Sequence, residues 1–345
     1  MQAEITSNIQ AYPLKSFDIE TLVINSSHLK KNNLKDSPTK YNLVLKPKNF
    51  DSSKKYKCIV VLAGFTGTAS KYFSFKPFQQ NYPQSVDSWF TKNKIKDCVV
   101  LFVDSMTYWG GSQFINSPLV GNYEDYIVNE LLPEFRNKYN ISDRPNDVCI
   151  TGGSSGGYGS LHLGSKYPQV FGKVAAVAPD CDFNLSLLPE LYKGLHLLEK
   201  MGGIEAVKKE IKQEKFFRRR DSHLIINIIA MAYCYSSNKK GEPSFPFNTK
   251  TGEVDKKLWS QWLKKDPISF IKTRKKNIEK LKGIYLDVGK YDQFNLQYGA
   301  RKLNTIIKPL KVPFKYSEFN GNHFDISTRR EHIWAWFLNN TNSIK

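Results

Sequence analysis

The sequence predicts an α/β protein with a mostly parallel central sheet and helices on both faces. Three observations predict it. Short apolar runs rich in β-branched residues recur at 56–63, 99–104, 148–152, 174–178 and 283–289, as strands buried on both faces do. Segments of helical spacing lie between several of these runs. Glycine-rich loops follow their carboxyl ends, where open α/β sheets bind ligands.

In chain order, 17–24 and 41–45 alternate apolar and polar residues across a Lys/Asn/Ser/Pro loop, which predicts a leading antiparallel hairpin. The run 56–63 is the first central strand and ends in Gly64-Phe65-Thr66-Gly67. A helix-compatible segment at 85–94 leads to the strand 99–104. A long loop follows over 105–121, with Trp109-Gly110-Gly111-Ser112 inside it. Residues 123–139 place Tyr126, Ile127, Leu131, Phe135 and Tyr139 on one helical face. From 182 to 282 the alternation stops. Helices are expected at 187–201, 204–217 and 222–235, forming an insertion that caps the strand ends. The sheet resumes at 283–289, followed by a helix at 295–307, a strand at 314–319 and a closing helix at 328–339. This divides the chain into an N-terminal core part (1–181), a helical cap insertion (182–282) and a C-terminal core part (283–345).

At 345 residues the chain can bury a large core, and its 40% hydrophobic content separates it from disordered chains. With 51 basic against 32 acidic residues, the net charge of +19 raises nucleic acid as a partner. The lysines are spread along the whole chain, and the dense runs at 218–220 and 272–276 read as solvated helix faces. No nucleic-acid partner is expected, although such charge can attract anionic substrates. Five cysteines, with no Cys-x-x-Cys or Cys/His ligand spacing, predict neither a disulfide framework nor a metal site. The N-terminus shows no charged segment followed by an apolar core, and the apolar stretch 224–235 is too short to cross a bilayer. The expectation is a cytoplasmic protein without a membrane partner. Oligomeric state leaves no trace in the sequence.

The chemistry concentrates at Gly152-Gly153-Ser154-Ser155-Gly156-Gly157-Tyr158-Gly159, between the strand 148–152 and a helix. Strand, sharp glycine turn, serine and helix is the context in which Gly-x-Ser-x-Gly presents a nucleophile. Two registers fit. Ser154 is preferred because Gly156 and Gly157 then occupy the crowded positions, whereas a Ser155 nucleophile puts bulky Tyr158 in one of them. Of six histidines, only His323 lies in a glycine-containing loop just after the last strand, where it can reach over the sheet as a general base. His162, on the helix after the serine, is expected to pack against the sheet. An acid belongs between serine and histidine in chain order, and Asp292 after the penultimate strand is the choice. Asp180 and Asp182, after an earlier strand, compete with it, and Asp287 points the wrong way within its strand. The backbone N–H groups of Phe65 and Ser155 are the expected oxyanion donors. Gly64, Trp109 and Tyr158 are expected at the substrate, with Phe216/Phe217 or Tyr233/Tyr235 of the cap lining an acyl pocket.

These residues resemble the α/β-hydrolase superfamily, specifically the esterase D/enterochelin-esterase-like esterases. The resembling pieces are 152–161, Gly121-Asn122-Tyr123-Glu124-Asp125-Tyr126, Gly289-x-x-Asp292 with Gln293-Phe294-Asn295-Leu296, and Gly321-x-His323. The resemblance implies the α/β-hydrolase fold, a Ser154/Asp292/His323 triad, and hydrolysis of a small-molecule ester with neither metal nor cofactor. Two positions depart from the pattern: Ala63-Gly64 stands where many relatives have His-Gly, and Gly153 where His is frequent. Neither alters a backbone donor. The expected activity is a serine esterase acting on small to medium acyl groups. An acyltransferase with an alcohol acceptor and a catalytically silent binding protein are the alternatives.

Overall fold

The computed structural model describes residues 12–236, 241–248 and 250–338. Strands β1 (Phe17–Asn25) and β2 (Thr39–Pro47) pair antiparallel as the leading hairpin. Then come β3 (Lys57–Leu62), α1 (Tyr82–Lys92) and β4 (Cys98–Phe102). The long loop after β4 carries a small ribbon of β5 (Asn116–Ser117) and β6 (Gly121–Asn122). The next helical stretch comprises α2 (Tyr123–Asp125), a π-turn over Tyr126–Leu131, and α3 (Leu132–Lys138). Pro133 brings no N–H to this stretch, and the wide turn lies just ahead of it.

β7 (Val148–Gly153) runs into α4 (Ser155–Lys166), and β8 (Lys173–Val177) follows. The insertion contains α5 (Leu187–Met201), α6 (Ile204–Lys212), α7 (Ser222–Tyr235), α8 (Lys256–Leu263), α9 (Pro267–Thr273) and α10 (Lys275–Ile278). α6 is shorter than its sequence pattern predicts. Glu214 takes a left-handed φ of 56°, and Phe216–Arg218 forms a separate 3₁₀ turn. β9 (Gly283–Gly289), α11 (Leu296–Ile307), β10 (Phe314–Phe319) and α12 (Arg330–Leu338) close the chain. A 3₁₀ turn over His323–Arg329 precedes α12, where a single helix from 328 is expected; Asn339 lies outside the described residues.

The eight-stranded sheet has the order β1-β2-β4-β3-β7-β8-β9-β10. Its pairs from β4 to β10 are parallel, and only the hairpin side is antiparallel. The continuous apolar runs have a physical reason. Val60 and Leu62 of β3 face one core while Ile59 and Val61 face the other, so from Cys58 to Leu62 no position of the strand meets water. β7 lies centrally, between β3 and β8, which brings its carboxyl end beside the ends of both neighbours. No helix among the described residues is long and apolar enough to cross a membrane.

Candidate active site

The turn from β7 into α4 is held by backbone crowding. A Cβ on Gly156 would lie 2.3 Å from the Leu62 carbonyl oxygen, and one on Gly152 would lie 2.5 Å from the Gly156 carbonyl carbon. Only glycine lets the turn pass so close to β3. Between them Ser154 adopts φ 57° and ψ −126°, a conformation that a side chain rarely accepts and that the tight turn imposes. Ser155 instead is the first residue of α4. The two serines therefore differ in backbone state, and the strained one is Ser154.

On the next strand but one, β9 ends at Gly289, where a Cβ would meet the Gly321 carbonyl oxygen at 2.6 Å. This close passage joins the loop after β9 to the loop after β10. His323 Nδ1 lies 2.7 Å from Asp292 Oδ2, and both residues are buried. Asp292 Oδ1 accepts the Phe294 N–H at 3.0 Å, the His323 N–H donates to Gln293 Oε1 at 3.0 Å, and the Phe294 ring stands edge-on to the imidazole at 4.8 Å. An Asn322/Asp325 capping box anchors the turn that carries His323.

Ser154, Ser155, His323, Gly64 and Phe65 line one cavity of about 820 Å³. The Phe65 and Ser155 backbone N–H groups donate to no protein acceptor among the described residues, whereas the neighbouring Thr66 N–H is taken by the Gly110 carbonyl at 2.7 Å. Asp180 lies in the same wall. Ser154 Oγ donates to its Oδ1 at 3.3 Å and Ser155 Oγ to its Oδ2 at 2.7 Å, and Gln113 Nε2 supports Ser155 Oγ at 3.0 Å. Burial raises the pKa of Asp180, against the opposing pull of the Ser155 hydroxyl, the His323 charge and the Ser154 hydroxyl. The Ser154 hydroxyl thus points to Asp180 and makes no hydrogen bond to His323. Asp180 in turn forms no ion pair with His323, whose only carboxylate partner among the described residues is Asp292. Asp182 pairs with Lys302, and Asp287 is held by Arg329, Tyr285 and Ser317.

Several expected substrate contacts are corrected. Trp109 and Tyr158 do not line the cavity. Trp109 is buried against Tyr108 and Tyr233, and Tyr158 is buried between His162, Phe183, Tyr235 and Phe270. Phe216, Tyr233 and Tyr235 are core residues and Phe217 faces solvent, so the insertion offers the cavity Ser186, Leu187, Glu190, His223 and Asn227 instead. The reason is common to all but Phe217: large aromatic surface is buried wherever the core has room, and composition does not say on which side. His162 meets Glu124 and the rings of Tyr158 and Phe270, facing the insertion. Asp180 and Gln113 are the contacts with the serines that sequence reasoning weighed wrongly or missed. Gln113 sits in an irregular loop with no motif to mark it. No group of three or more His, Cys, Asp or Glu that could hold a metal ion exists among the described residues.

The fold has solved counterparts. A ferulic acid esterase matches with a TM-score of 0.59 at 15% identity, covering 93% of this chain and 96% of that one. The fluorophosphonate-binding serine hydrolase F of Staphylococcus aureus, solved with substrate bound, gives 0.57 at 15%, covering 94% and 100%. An S-formylglutathione hydrolase from Agrobacterium tumefaciens gives 0.53 at 14%, covering 93% and 95%. At these identities the likeness carries the fold, which is that of the α/β-hydrolases. No curated protein matches the sequence. A family model described as "Putative esterase" matches residues 35–340, nearly the whole chain, and the protein belongs to that family. It is a carboxylic ester hydrolase.

Proposed function

We propose that the protein hydrolyses small-molecule carboxylic esters through Ser154, His323 and Asp292 with an acyl-enzyme intermediate. The observation that carries this reading is the strained Ser154 on the same cavity wall as a His323 imidazole whose far nitrogen is held by buried Asp292. Ser154 Oγ turns from Asp180 towards His323, which accepts its proton as the oxygen attacks the ester carbonyl. Asp292 fixes the tautomer with Nδ1 protonated and stabilises the imidazolium. The tetrahedral oxyanion receives the Phe65 and Ser155 N–H groups, each donor contributing roughly 3 kcal/mol. Collapse expels the alcohol, which takes its proton from His323. Water then gives a proton to His323 and attacks the acyl carbon, and release of the acid restores the Ser154 hydroxyl.

Residues 182–282 act as a cap in this reading, since Leu187, His223 and Asn227 line the cavity that holds Ser154. A cavity of about 820 Å³ with mixed polar and apolar walls suits small to medium acyl groups. The test is a p-nitrophenyl ester series on wild type and Ser154→Ala, with fluorophosphonate labelling of both. Hydrolysis and labelling in wild type alone are expected; equal hydrolysis by Ser154→Ala would remove the mechanism. Added alcohols, with analysis for transesterified product, separate hydrolysis from acyl transfer.

A further inference from the structure

We propose that the wall of this cavity formed by Lys71, Lys76 and Arg330 binds an anionic group, so that the preferred ester carries a carboxylate or phosphoryl group. The inference rests on the esterase reading of the same cavity and names its substrate class. All three cations line the cavity that holds Ser154 and His323. None of them forms an ion pair with a carboxylate among the described residues. Of the two carboxylates of the lining, Glu190 pairs with Lys193 at 3.3 Å, while Asp180 accepts only from the neutral serine hydroxyls and keeps its charge. Three cations against the one remaining carboxylate leave the cavity lining net positive.

Arg330 is the organised member. Its guanidinium lies over the Tyr82 ring at 4.2 Å and within 5.8 Å of the Tyr72 ring, and it is half-buried. The rings hold the cation by its charge and not by its N–H donors, and a guanidinium so placed can still give those donors to an oxyanion. Its neighbour Arg329 shows the alternative, a hydrogen-bonded ion pair with buried Asp287 at 2.7 Å. Among the described residues, a carboxylate pairs with Arg329 and none with Arg330. Arg330 follows directly on the turn that carries His323, and Ile326 of that turn packs against the serine turn at Gly153, so this wall adjoins the reacting centre. Lys71 and Lys76, both exposed, add charge that draws an anion in and neutralises it at the cavity mouth.

Two matched ester pairs test the proposal. p-Nitrophenyl butyrate is set against mono-p-nitrophenyl glutarate, with the anion on the acyl side. p-Nitrophenyl acetate is set against 3-carboxy-4-nitrophenyl acetate, with the anion on the alcohol side. Each kcat/KM is divided by the spontaneous hydrolysis rate. The expected result is an anionic-to-neutral ratio of about tenfold in one pair, declining as salt is added. Arg330→Gln should cut that ratio by about tenfold, and Arg330→Lys should retain part of it. Lys71→Gln, at an exposed position, supplies the same comparison should Arg330→Gln fail to fold. Calorimetric binding of the four esters to Ser154→Ala reads the wall without turnover. Anionic preference in binding without wild-type hydrolysis would remove the triad reading and keep the wall. Hydrolysis with no anionic preference in either pair, or a ratio unmoved by Arg330→Gln, would overturn the wall and leave the esterase reading intact.

Discussion

Two imidazoles of this chain meet buried carboxylates at almost the same distance, His323 with Asp292 at 2.7 Å and His162 with Glu124 at 2.6 Å. Only the first lines the cavity that holds Ser154. Asp292 takes Nδ1 of His323, and the other nitrogen has no hydrogen-bond partner among the described residues. Glu124 takes Nε2 of His162, accepts also from Lys166 and Tyr167, and leaves Nδ1 buried without a hydrogen bond. Burial pushes the His162 pKa down to about 4, while the Glu124 hydrogen bond opposes it. Burial by itself would raise Glu124, but His162, Lys166 and Tyr167 together hold it at about 2. The lesson is that a histidine–carboxylate pair acquires chemistry from what its second nitrogen faces. The pair inside the core ties α2 to α4; the pair on the cavity can move a proton.

Substitutions break this comparison in opposite ways. Ser154→Ala should lower kcat by roughly 10⁴-fold or more, with the thermal midpoint nearly unchanged, because it removes the proposed nucleophile. Asp292→Asn should follow at roughly 10⁴-fold, since the asparagine holds the wrong imidazole tautomer. His162→Ala should do the reverse, costing about 3 kcal/mol of unfolding free energy in denaturant titrations while the folded fraction keeps its kcat. A His162 variant that lost turnover without losing stability would erase the distinction.

The acid behaviour of the core pair sharpens it further. Unfolded His162 takes up a proton near its ordinary pKa of about 6.5, whereas the folded group does so only near 4. The unfolded state therefore binds more protons between these limits, and stability falls as pH drops from about 6.5 towards 4. Glu124 extends the loss downward, since its depressed folded value means that stability present above about 4.5 disappears as pH falls towards 2. Unfolding free energy followed against pH should show this slope in wild type and a shallower one in His162→Gln. The smallest effect is expected at Gln113→Ala, which removes support for the Ser155 hydroxyl at 3.0 Å. A few-fold loss in kcat/KM with KM nearly constant is expected there, of the size one neutral hydrogen bond represents, about 1 kcal/mol.

Legibility differed by the kind of signal. Runs such as Val99–Val103 could be read as strands because a parallel strand covered on both faces must be apolar at every position, and all of β4 is buried. The Gly152/Ser154/Gly156 turn could be read because its glycines answer to backbone contacts within a few residues and with the adjoining strand. α6 was read too long, since an amphipathic pattern continues through Phe217 while the backbone turns at Glu214. Trp109 and Tyr158, expected at the substrate, lie in the core, because apolar character predicts burial without predicting the neighbour.

By itself the sequence determined the α/β layering, the turn that strains Ser154, and the places of Asp292 and His323 in loops after the last two strands. These depend on local backbone geometry and on periodicity, both written in consecutive residues. Only the tertiary structure decided that Asp292 and not Asp180 reaches His323, that Asp180 instead holds both serine hydroxyls, and that Arg330 lines the cavity without an ion-pair partner among the described residues. Those outcomes join side chains far apart in the chain, and which of them meet follows from how β8, β9 and the loop after β10 pack together.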